Sequence, residues 1–86
     1  MEEVKERVGR VTHYYSRIGV CIVELEDELR VGDEISIEGK TTNFRQTVKS
    51  MEIEHKKVEV ARAGDSVGIE VEVRAREGDV VYKISR

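Results

Sequence analysis

"ARAGDSVGIEV", residues 61–71, spells one turn and one strand. Gly64 can take a positive φ without steric cost, and the Asp65 side chain can bond backbone two residues on. After the turn, Val67, Ile69, Val71 and Val73 alternate with Gly68, Glu70, Glu72 and Arg74. Period two with one apolar parity predicts a strand that turns one face to a core.

Outward from this stretch the same phrase recurs. Gly32-Asp33 precedes Ile35 and Ile37, and Gly78-Asp79 precedes Val80, Tyr82 and Ile84. The spacing is irregular, so this is a recurring turn rather than a sequence repeat. Gly39 opens another loop, "GKTTN". Residues 18–23, "IGVCIV", are apolar on both parities, as in a strand covered on both sides or one whose outer face meets a partner. In "NFRQTVKSMEIE", residues 43–54, the apolar parity flips between Val48 and Met51. A β-bulge near Lys49–Ser50 would return both sets to the core and bend the strand. Turn signals are frequent and no helical period is sustained. The expectation is an all-β fold, a small closed barrel of six or seven strands. Residues 1–5 are expected to be a flexible lead-in and residues 6–86 a single domain.

Composition narrows the function classes. A chain of 86 residues builds one core. Eighteen acidic residues against 15 basic ones, a net charge of −3, do not suit a generic nucleic-acid binder. Charged residues make up 38%, and Asn43 and Gln46 are the only side-chain amides, a composition expected of a heat-adapted protein. No apolar run approaches the ~18–20 residues that span a bilayer. Cys21 is the single cysteine, so an intramolecular disulfide is excluded. With no signal-peptide pattern, a cytoplasmic location is the expectation.

Catalytic groups do not converge in the sequence. Cys21 lies in an apolar run, where a thiol is an inert core filler. His13 and His55 are the only imidazoles, and no Cys/His cluster with metal spacing exists. The acidic run "ELEDE", residues 24–28, reads as a solvated turn. Neither GxxxxGK[ST] nor GxGxxG occurs. We therefore expect no enzyme activity, no cofactor, no metal and no GTP binding. Three surface stretches are candidates for partner contact. "THYYSR", residues 12–17, offers His13, Tyr14, Tyr15 and Arg17, and adjacent tyrosines in a strand point to opposite faces. "KTTNFR", residues 40–45, offers Thr41, Thr42 and Phe44 in a polar loop. "EIEHKK", residues 52–57, interleaves acid and base.

"VGRVTHYYSRIGV", "LRVGDEISI", "TVKSMEIEHKKVEVARAGDSVGIEV" and "REGDVVYKI" together resemble the second domain of elongation factor Tu and related translational GTPases, a Greek-key β-barrel. The resemblance runs from about Arg7 to Ile84. "VTHYYSRIGVCIVEL" and "TTNFRQTVKSMEIEH" are more similar still to the C-terminal domain appended to collagenase-like peptidases. In the elongation factor this barrel helps to hold the aminoacylated end of transfer RNA, using a Glu followed three residues later by an Arg. The resemblance places that Glu at Glu52 and the Arg at His55, which lacks the bidentate guanidinium fork. It implies a non-catalytic translation-factor-like binding module that docks on a protein or ribonucleoprotein partner, with RNA binding weak. The alternative it implies is a detached accessory subunit of a collagenase-like peptidase or a related RNA-modifying enzyme.

Overall fold

Three turns of one design organise the chain. Arg30-Val31-Gly32-Asp33, Arg62-Ala63-Gly64-Asp65 and Arg76-Glu77-Gly78-Asp79 each place glycine at a φ between +92° and +99°. That is the third position of a type II turn, where a side chain would be strained. In each, the Asp N–H donates to the Arg carbonyl at 3.0–3.1 Å. The Asp Oδ2 in turn accepts from the Arg N–H at 2.8–2.9 Å. Each turn then clamps one residue across from it. The Gly N–H donates to that residue's carbonyl and the Asp carbonyl accepts from its N–H. The clamped residues are Val48, Leu25 and Val11, all buried. The Gly-Asp pairs announce these turns in the sequence. The arginine three residues before each aspartate belongs to the same unit.

The computed structural model describes residues 2–86 and is all-β. Its strands are β1 Val4–Tyr15, β2 Val20–Leu25, β3 Leu29–Arg30, β4 Glu34–Glu38, β5 Asn43–Thr47, β6 Met51–Ile53, β7 Lys56–Val58, β8 Val60–Ala61, β9 Ser66–Glu70 and β10 Val80–Ser85. Eight form one antiparallel sheet in the order β5-β4-β10-β1-β2-β9-β6-β7, and β3 pairs with β8. Ten strands replace the six or seven expected, because four of them have only two or three residues and carry no alternation of their own. Among the described residues no helix is long and apolar enough to cross a membrane.

Closure into a barrel by backbone pairing is not found among the described residues: the ladder ends at β5 and β7. A side chain links the β5 edge to the end of β9, past the start of β6. Gln46 of β5 donates through Nε2 to the Glu70 carbonyl at 2.9 Å and accepts the Glu72 N–H on Oε1 at 2.9 Å. Inside the curl lie Val8, Val11, Val23, Leu29, Ile35, Ile37, Val67 and Ile69, all essentially solvent-free.

The parity flip at Val48/Met51 is resolved by a break, not a bulge. Residues 48–50 leave the ladder between β5 and β6, and both Val48 and Met51 are buried. The bulges sit in β1, where the register shifts between Arg7 and Gly9 against β10 and between Val11 and His13 against β2. They let Val8 and Val11, of opposite parity, both face the core. In β10 the buried residues are Val81 and Ile84, whereas Val80 and Tyr82 are half-buried, opposite to the phase expected over most of that strand. The alternation after Ile69 also stops early. β9 ends at Glu70, where its partner β2 begins at Val20, and Val73 is 50% exposed.

Val4 and Lys5, expected in a flexible lead-in over residues 1–5, pair with Ser85 and Ile84. Met1 lies outside the described residues. Glu3 bonds Arg45 at 2.6 Å and Arg86 at 3.3 Å, and Arg86 bonds Glu34 at 2.7 Å. The hydrogen bond from Arg45 is the main cause holding the Glu3 carboxyl below its ordinary range. Lys5, then Ser36, does the same for Glu38.

Candidate functional site

The outer face of β2, β9 and β6 forms an open groove of about 640 Å³. Its floor follows from strand alternation. Cys21, Val23, Val67, Ile69 and Met51 point inward and are buried. Val20 and Ile22 of β2, Ser66, Gly68 and Glu70 of β9, and Glu52 of β6 therefore point outward and line the groove. Gly68 lies at the centre, in register with Ile22 on one side and Glu52 on the other. Having no side chain, it makes the face concave between them.

Two hairpins form the rims. The β1–β2 hairpin contributes Tyr15, 48% exposed, and Ile18, 65% exposed. The β6–β7 hairpin contributes Glu54 and His55. Ile53 pairs directly with Lys56, so Glu54 and His55 alone make the loop. Their φ values are +50° and +66°. Two-residue hairpin loops of this kind favour Asn-Gly, because both positions need positive φ. A side chain there costs roughly 1–2 kcal/mol, and histidine tolerates it better than glutamate. Replacing the loop by Glu54→Asn with His55→Gly should therefore raise stability by about 1–2 kcal/mol. Urea denaturation checks this, and a loss of stability would show that the loop is not strained.

The groove gathers some of the residues singled out in the sequence and not others. Tyr15, Glu52 and His55 line it together. His13 lies beside it, its ring edge-on to Tyr15 at 4.3 Å between centroids and its Nδ1 3.3 Å from Glu77 Oε2. Tyr14 points the other way, as adjacent strand residues must. It packs against the core and borders a small surface dent with Arg74, Arg76 and Glu77. Arg17 is exposed in the turn after β1. Thr41, Thr42 and Phe44 belong to the β4–β5 hairpin and take no part in the groove. Thr42 is buried, Phe44 packs against the core and Thr41 is exposed. Ile18, Val20, Ile22, Gly68 and Glu70 are lining residues that were not singled out. Two signals point to them: the doubly apolar "IGVCIV" and a glycine inside a strand alternation.

The electrostatics are one-sided. Three carboxylates, Glu52, Glu54 and Glu70, line the groove, and no Lys or Arg does. The thiol beneath its floor is inert. Burial pushes Cys21 up to about 12 from an ordinary 9.0. Because the native value is the higher, this group opposes ionisation: its contribution is full below pH 9 and is lost as pH rises towards 12. Native protein at pH 8 should resist iodoacetamide, and denatured protein should be alkylated at once. Fast labelling of the native state, read by mass spectrometry, would contradict the buried placement. Among the described residues, no group of three His, Cys, Asp or Glu side chains is arranged to hold a metal ion.

No protein-family model matches the chain. An uncharacterized protease of Methanocaldococcus jannaschii is 46% identical over 79 residues, which is 91% of this chain and 19% of that protein. The chain thus spans about a fifth of the curated relative it matches. Among solved structures, the C-terminal domain of a Geobacillus thermoleovorans protein assigned to the U32 peptidases superposes with a TM-score of 0.85 at 25% identity, covering 91% of both chains. The selenomethionine variant of that domain gives a TM-score of 0.84 at 24% identity, a likeness of fold. Of the two resemblances read in the sequence, the one to the C-terminal domain of collagenase-like peptidases is the one these matches carry.

Proposed function

We propose that the chain is the accessory β-module of a U32-type, collagenase-like peptidase, a non-catalytic part that docks on a protein partner. The observation that carries this reading is the 46% identity to an archaeal protease across 91% of the chain. A domain solved by itself from a U32 peptidase matches over nearly its full length. The small closed barrel belongs to the same reading, with Gln46 as the side-chain seam. The translation-factor-like alternative keeps the barrel but changes the partner to a ribonucleoprotein. Tyr15, Glu52 and His55 on one groove would suit an RNA end, but three carboxylates repel phosphate.

The test is affinity purification of the tagged chain from native extract, with the captured proteins identified by mass spectrometry. A peptidase-family polypeptide at near-equal amount is the expected result. Its absence, or enrichment of ribosomal proteins instead, would overturn the reading.

A further inference from the structure

We propose that the groove on β2, β9 and β6 receives a short segment of a protein partner that presents a cationic side chain, Arg or Lys, beside an apolar one. Charge is the first argument. The chain has 15 Lys and Arg residues, and none lines the groove. Glu52, Glu54 and Glu70 line it, and among the described residues none of the three is in an ion pair. Seven other glutamates, Glu72 among them, hold ion pairs with Lys or Arg. Lys57 stands opposite Glu52 in register but neither pairs with it nor lines the groove. Glu2, Glu6 and Glu59 are unpaired too but do not line the groove, so the groove is where unpaired carboxylates gather, and three around one concavity complement a cation.

Apolar surface is the second argument. Val20 and Ile22 form part of the floor, with Ile18 and Tyr15 exposed above them. Exposed apolar side chains gathered in one place mark a contact surface more than scattered ones do. The third is the strained loop. Glu54 and His55 are held at positive φ on the groove rim, and such strain collects at ligand clamps. A volume of about 640 Å³ has room for a few side chains. Tyr15 can accept a cation over its ring while the carboxylates face it.

The inference rests on the accessory-module reading for the identity of the partner, but the test needs no peptidase, so its outcome is separate from that reading. The 15N-labelled chain is titrated with three capped peptides, Ala-Leu-Arg-Leu-Ala and its citrulline and glutamate counterparts. The arginine peptide should shift the amides of Ile22, His55 and Gly68 at millimolar concentration. Citrulline should weaken this about twofold to fivefold, as should Glu52→Gln, Glu54→Gln and Glu70→Gln together. These three side chains are exposed, so the variant should keep its fold, which the unperturbed core amides will show. The proposal is overturned if no amide shifts at peptide concentrations up to about 10 mM, where a millimolar site would be mostly filled. It is equally overturned if the three peptides act alike, if the shifts fall outside the groove, or if single-stranded RNA ending in CCA shifts the same amides at lower concentration.

Discussion

Gly9→Ala should destabilise the protein by about 3 kcal/mol, the upper end of what overpacking usually costs. Gly9 is buried in β1, which pairs with both β10 and β2, directly after the register shift at Arg7. A Cβ there would lie 2.7 Å from the Glu24 carbonyl oxygen and 2.7 Å from Val23 Cγ1. The objection is space, not backbone angle. The carbonyl belongs to a paired strand and cannot rotate away as the end of a flexible side chain can. Relief therefore means separating β1 from β2 at the middle of the sheet. Gly68→Ala is the matched control. Its Cβ would meet Val20 Cγ1 at 3.4 Å and Ile22 Cδ1 at 3.6 Å, which are ordinary contacts. Alanine also loses less backbone entropy on folding, so that variant should be neutral or gain up to about 1 kcal/mol. Denaturant midpoints of the two variants decide the matter. If Gly9→Ala lies within about 0.5 kcal/mol of wild type, the surface-substitution range, the close approach of β1 and β2 is wrong.

The turns were the most legible part of the chain, because Gly-Asp states a backbone requirement directly. Ile35, Ile37, Val67 and Ile69 were legible for a related reason: alternation tells which residues face inward when the strand is regular. Val80 and Tyr82 show the limit. Their phase depends on a bulge in β1, a different strand, and no local pattern in β10 records it. Val73 was misplaced because alternation continues in the sequence after the pairing strand has run out. The groove was half legible. "IGVCIV" indicated an outer face that meets something, while Glu52 and His55 came from a resemblance. Glu54 fell within the candidate stretch "EIEHKK", but its place in a two-residue loop was invisible, since Glu-His is not a hairpin-loop signal and only pairing of Ile53 with Lys56 makes it one. Closure was beyond reach for a different reason. Periodicity describes strands, whereas closure depends on how two distant edges meet.

The second large effect is at the Gln46 contact between β5 and the end of β9. Gln46→Leu should lose about 2–4 kcal/mol, from two backbone groups left unpaired at ~1–3 kcal/mol each, discounted for water reaching the rim. Gln46 is 7% exposed. Its amide satisfies the Glu70 carbonyl and the Glu72 N–H, neither of which can find a partner strand beyond the end of β9. Leucine matches the volume, so packing is nearly preserved and the missing hydrogen bonds are what the variant reads. Gln46→Glu separates donor from acceptor. A carboxylate still accepts from Glu72 N–H, but it cannot donate to the Glu70 carbonyl and it adds charge near two other glutamates. It should be destabilised at neutral pH and recover in part when acid protonates the new carboxyl. Amide exchange gives the local readout: at pH 7 Glu72 should exchange faster in Gln46→Leu and stay protected in Gln46→Glu, while Ile37 and Val81 in β4 and β10 keep their protection until global unfolding. If Gln46→Leu is as stable as wild type and Glu72 remains protected, the seam is not held by this side chain.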